Sequence, residues 1–154
     1  MPGATVTTIA PADVKGACPL LPKESVANAY GVGQVNSQEE GALPGATGVS
    51  SFICQYTAND TVLLKLVFVT TQLSGAAPEQ FIRGALENCQ QVHQISGLGD
   101  DAASCRHSTD PASTIVSASV STKRGLVAVE VAGATVQRQE ATLEGFARQV
   151  LAHF

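Results

Sequence analysis

Charge is scarce in this chain. Charged residues make up 14% of the 154, well below the roughly 25% of ordinary soluble domains. Formal net charge is −4, and no basic cluster exists beyond Lys123-Arg124. Nucleic acid needs a concentrated positive face, so it is not an expected partner. The acidic excess is too small for a solvating tail. Long hydrophobic runs are missing as well. VLLKLVFV (62–69) is too short to span a bilayer and carries Lys65, whereas a membrane helix needs about 20 apolar residues. The opening stretch, MPGATVTTIAPADVKGAC, has neither the basic n-region nor the apolar h-region of a signal peptide.

What is present fits one domain. A chain of this length buries roughly two-thirds of its unfolded surface, and 44% of its residues are hydrophobic. Ala, Gly, Ser, Thr, Val and Gln fill the place of the absent charges, a mix common in exported bacterial proteins. Residues 1–15, rich in Thr, Ala and Pro, read as a flexible tether. Residues 16–154 read as a single α+β domain.

Within it, CPLLPKESVANAYG has the pattern of a short helix. Pro22 suits the first turn, Gly31 the C-cap, and Val26, Ala29 and Tyr30 share a face. A strand is expected near 32–36, then a Gly/Pro/Ser loop. SFICQYT and TVLLKLVFVTT flank Ala58-Asn59-Asp60 as a hairpin. The second of these is apolar on both faces, which marks a central strand. AAPEQFIRGALENCQQV carries Phe81, Ile82, Ala85, Leu86, Cys89 and His93 on one helical stripe, so a helix is expected over 78–92. GLGDDAASCRH then reads as a turn followed by a strand.

Two further strands, 114–121 and 125–132, join through a compact turn. Val116, Ala118 and Val120 alternate with Ser117, Ser119 and Ser121, the mark of one buried and one wet face. Leu143, Phe146, Ala147, Val150 and Leu151 form the stripe of a closing helix at 139–153. The strands at 51–57, 62–71, 114–121 and 125–132 should share one antiparallel sheet with both helices packed on it. Phe81, Leu86, Phe146, Val150, Leu64, Leu66, Val127 and Val129 should be core.

CPLL before a helix that ends in Tyr-Gly, then ICQY in a strand, SGLGDDA, a strand hairpin and a C-terminal amphipathic helix together resemble a known family. It is that of the small secreted lipoproteins of actinobacteria, the LpqN type and related domains of unknown function. The resemblance covers nearly all of 16–154. It implies a PsbP-like layered sandwich, export to the outer face of the cytoplasmic membrane or beyond, and in most members anchoring through a lipidated cysteine. Cys18 sits inside the domain pattern and is not that cysteine. Contact with a membrane is therefore expected only through an anchor outside these residues. No catalytic residue follows from the resemblance.

ENCQQVHQISGLGDDAASCRH (87–107) holds two of the four cysteines and two of the three histidines. Cys89 and His93 lie four apart, Cys105 and His107 two apart. Two Cys and two His form a known tetrahedral zinc set, but this spacing matches no zinc knuckle. Nearby thiols in an oxidising compartment become a bridge. We therefore read Cys89 and Cys105 as a disulfide, with a metal site of Cys89, His93, Cys105 and His107 as the alternative. Four cysteines allow three connectivities. Pairing Cys18 with Cys54 and Cys89 with Cys105 closes the shortest loops and agrees with the family pattern.

Other motifs are weak. Gly97-Leu98-Gly99 lacks the third glycine and preceding strand of a dinucleotide fingerprint, and reads as a turn with positive φ. Asp100-Asp101 lacks further ligands at calcium-loop spacing. Ser104, His107 and Asp110 are close in sequence with no nucleophile elbow. Glu39-Glu40 reads as solvated loop, Tyr30 and Tyr56 as packing residues with wet hydroxyls, and His153 as a charge complement at a helix end. The expectation is a non-enzymatic cell-envelope binding or accessory module with no cofactor. Its partner would be an envelope protein, a wall component or a small apolar ligand.

Overall fold

The computed structural model describes residues 9–43, 49–71, 87, 89–107, 113–123, 125–134 and 139–154. Two 3-10 turns, Pro11–Asp13 and Cys18–Leu20, lead into helix α1 (Lys23–Tyr30). Strands β1 (Asn36–Leu43), β2 (Val49–Ala58) and β3 (Thr61–Thr71) follow. Next come β4 (Gln90–Gln94), β5 (Asp101–His107), β6 (Ser113–Thr122) and β7 (Gly125–Ala134), then helix α2 (Gln139–Leu151). All seven strands form one antiparallel sheet in the order β1-β2-β3-β7-β6-β5-β4. The fold is α+β with a sheet-dominated core and two disulfides.

Local chemistry accounts for the hairpins. Asn59 and Asp60 both have positive φ (51° and 63°) between the paired Ala58 and Thr61. A two-residue hairpin of this kind needs that conformation at both centres, and Asn and Asp tolerate it. Gly31 caps α1 at φ 66°, as its position implied. Pro22 is the N-cap of α1 rather than a first-turn residue, and Ala29 is exposed.

One sheet face is the core. Cross-strand rows such as Cys54–Leu66–Val131–Val116 and Phe68–Val129–Ala118–Ala102 run across it, every member buried. Helix α2 lays Leu143, Phe146, Ala147 and Val150 over β6 and β7. The Cys18–Leu20 turn covers β1 and β2, adding Leu20, Leu21 and Val26 to the same cluster. Each fully buried Leu, Val or Phe contributes about 1.5–3 kcal/mol, so this face dominates stability. Leu64, Leu66, Val127, Val129, Phe146 and Val150 are core as expected. Phe81 and Leu86 lie outside the described residues.

The structure departs from the sequence reading at several places. The stretch 78–86 and residue 88 lie outside the described residues, but 90–92 belong to strand β4, not to a helix. The first strand runs 36–43 rather than 32–36. Ser117 and Ser119 are buried rather than wet, together with Ala103, Cys105, Ile115 and Ala128 on the same face. Residues 9–15 are not a free tether: Val14 is buried, Ile9 packs on the core, and the Ile9 N–H donates to the His153 carbonyl at 2.7 Å. Residues 1–8 lie outside the described set.

Candidate functional site

The N-terminal layer is held to the sheet by an unusual density of polar ties. Cys18 is bridged to Cys54 of β2, with Cα atoms 5.0 Å apart. Glu39 of β1 stands beside Cys54 on the core face. Its carboxylate accepts the Ala17 N–H at 2.7 Å and the Cys18 N–H at 3.1 Å. It thereby satisfies N–H groups that open the Cys18–Leu20 turn. Gly16 passes directly over that carboxylate, where an added Cβ would lie 2.8 Å from Glu39 Cδ. No other residue type fits there without a shift.

The far end of the turn is clamped equally. The Tyr56 hydroxyl donates to the Leu21 carbonyl at 2.6 Å. Nε2–H of His153 donates to the Leu20 carbonyl at 2.9 Å. Tyr56 is fully buried, which together with the Glu39 carboxylate pushes its phenol well above the ordinary tyrosine range. The hydroxyl is therefore dry and neutral, not wet. His153, expected only as a charge complement, is a specific clasp that joins the end of α2 to both N-terminal segments.

Between these segments lies an apolar cleft of about 510 Å3. Ile9, Val14, Pro19, Leu20, Gly16 and the bridged Cys18 line it, together with Asp13, Lys15 and Glu39. A second cleft of about 450 Å3 lies across the Ile9–Asp13 strip, between it, the β6–β7 turn and Phe154. Phe154 itself is stacked on Phe68 with centroids 5.2 Å apart. The strip is thus a shared wall. Composition concealed it, because Ile9 and Val14 are isolated apolar residues without a period.

The Cys/His cluster resolves differently. Cys89 and Cys105 are bridged, Cα to Cα 5.7 Å, and all four cysteines are paired in the connectivity 18–54 and 89–105. Cys89 and His93 do not share a helix face: Cys89 precedes β4 and His93 lies within it. His93 pairs with Ser104, so it occupies the sheet face opposite to Cys105. His107 ends β5, and its side chain lies outside the described set. Both thiolates of the alternative metal set are therefore consumed by the bridge. Among the described residues no group of three or more His, Cys, Asp or Glu side chains converges.

A polar cleft of about 290 Å3 opens beside His93, Ser104, Arg106 and Glu140. The Ser104 hydroxyl donates to Glu140 at 2.7 Å, tying β5 to the first turn of α2, with His93 opposite Ser104 on the same cleft. Asp110 is outside the described residues. Asp100 accepts the Ser121 N–H at 2.7 Å, and Asp101 accepts from Gln94 at 2.6 Å. Each of these acids holds a group of the sheet. Glu40 pairs with Lys65 at 3.6 Å on the surface. Gly97 and Gly99 have φ of 77° and 60°, as a turn requires.

Two bridges are the mark of an oxidising, extracytoplasmic environment. No described helix is long and apolar enough to cross a membrane. No protein-family model, curated protein or solved structure matches the chain.

Proposed function

We propose that this protein is a non-enzymatic, exported cell-envelope module that holds a small apolar ligand in the cleft between the Ile9–Gly16 strip and the Cys18–Leu20 turn. The observation that carries this reading is the cleft itself: about 510 Å3 of largely apolar wall, built on a turn held by a disulfide, Glu39 and Tyr56. Ligand sites are concave, mainly apolar and rimmed by a few polar groups, as here. Large exposed apolar residues, by contrast, are scattered singly among the described residues: Val62 at 40% and Val92 at 48%. They form no patch of the kind that docks a protein. The order of elements and the family resemblance support a PsbP-like arrangement and an envelope location.

The test is uptake of the apolar fluorophore N-phenyl-1-naphthylamine. Pro19 is exposed and lines the cleft, so Pro19→Asp puts a charge in the wall without touching the core. Affinity should fall about tenfold or more, since an apolar ligand seated there must strip water from the new carboxylate. The thermal transition should stay in place. Equal uptake by both proteins would sink the assignment.

A further inference from the structure

The two edges of the sheet are unlike. β1 carries Glu39 and Glu40 side by side and has the Cys18–Leu20 turn packed against it. Charge and cover are the usual protections of an edge strand. β4 has neither. Its sequence, QQVHQ, has no Lys, Arg, Asp or Glu, and every one of its residues is exposed.

The backbone shows what this edge offers. The Ile95 N–H donates to the Ala102 carbonyl at 2.9 Å, so Ile95 turns its backbone groups toward β5. By alternation His93, paired with Ser104, does the same. Val92 and Gln94 therefore each direct one N–H and one C=O outward. The register irregularity between Gln90 and His93, with Gln91 at φ 54°, limits the straight part of the edge to 92–94.

We propose that two copies of this chain pair edge to edge through β4, antiparallel and centred on His93, so that one sheet continues across the dimer. In that register Val92 of each copy faces Gln94 of the other. Two outward-facing residues per copy, each exchanging both groups, form four backbone hydrogen bonds across the twofold. Each half-exposed Val92 is shielded in the process. His93 meets its own counterpart as a non-hydrogen-bonded pair, where side chains approach most closely. No Lys, Arg, Asp or Glu stands in the paired segment. The same operation on β1 would gather four carboxylates. With one edge blocked the pairing closes at two copies instead of propagating. The contact is short, so association is weak and belongs to high local concentration, as on a surface.

Sedimentation velocity at pH 7.5 tests this. The wild type should shift from monomer toward dimer between about 10 µM and 1 mM, the range of a small transient interface. His93 is exposed, so His93→Asp and His93→Lys should fold normally. Each places like charges opposite one another and should weaken association at least about tenfold. An equimolar mixture of the two should restore it, because Asp then faces Lys. A wild type monomeric to about 1 mM would assign the open edge to some other strand and overturn self-pairing. So would a His93→Lys variant that associates as the wild type does, or a mixture that stays monomeric.

Discussion

The Tyr56 hydroxyl lies 2.6 Å from the Leu21 carbonyl and donates to it inside the core, thirty-five residues away in sequence. This bond joins the second strand to the end of the N-terminal turn at a point that water does not reach. Tyr56→Phe keeps the ring and removes the donor, leaving a buried carbonyl unsatisfied. The expected cost is about 1–3 kcal/mol, read as a lower denaturant midpoint at unchanged slope.

The same residue sets an alkaline limit. Burial, aided by Glu39, raises the folded-state phenol above its ordinary value. The folded protein therefore holds the proton more tightly than the unfolded chain. Its contribution is complete below the unfolded value of about 10 and is lost as pH rises beyond it. Wild type should lose stability more steeply than Tyr56→Phe above about pH 10. Parallel loss in the two proteins would show that another group governs the alkaline transition.

Glu39 and Gly16 should behave as one unit. Glu39→Ala removes the cap on Ala17 and Cys18, with a cost of about 0.5–2 kcal/mol. Gly16→Ala drives a methyl into the same carboxylate and should displace it from those N–H groups. The double variant should then lose less than the two losses added together, since the second change has less left to break. Simple additivity in thermal melts would refute this coupling.

Two glycines two residues apart should differ sharply. Gly97 and Gly99 both have positive φ, but a Cβ at Gly97 meets open space, whereas at Gly99 it lies 2.5 Å from the Ser119 carbonyl oxygen. Gly97→Ala carries only backbone strain, about 1 kcal/mol. Gly99→Ala carries the same strain and must also push the turn off β6, so about 2–4 kcal/mol is expected. Equal melting temperatures for the two variants would contradict the close approach.

The legible part of this fold was the part with a period. The β2–β3 and β6–β7 hairpins and the closing helix show clear alternation or stripes and turn residues suited to their φ. β1 escaped because NSQEEGAL is an edge strand whose exposed residues leave no apolar alternation. β4 was masked by a false stripe: Cys89 and His93 lie four apart, as on a helix, yet a bulge and a short edge strand separate them. The serines of β6 follow the right period, but polarity misreports burial when the side chain is that small. The cleft was invisible for a different reason. Its walls come from one stretch, 9–20, whose apolar residues keep no period, and that stretch is folded into a cleft only by its ties to Glu39, Tyr56 and His153, far away in sequence.

The two bridges should separate in their consequences. Unfolded, unreduced protein should show no free thiol, and reduction should add four hydrogens, two per bridge. Chelators should leave the melting temperature where it is, because both cysteine sulfurs of the candidate metal set are bonded to each other. In the chain-entropy description, the 36-residue closure at Cys18–Cys54 is worth about 4 kcal/mol and the 16-residue closure at Cys89–Cys105 about 3 kcal/mol. Paired alanine variants should lower stability in that order. The functional readout distinguishes them further. Cys18 lies on the apolar cleft, so the Cys18→Ala, Cys54→Ala variant should lose uptake of N-phenyl-1-naphthylamine together with stability. Cys89 and Cys105 tie the β4 end of the sheet, away from that cleft, so their double variant should melt earlier yet keep its uptake at temperatures where it is folded. Loss of uptake in the second variant alone would move the ligand site to the polar end of the sheet.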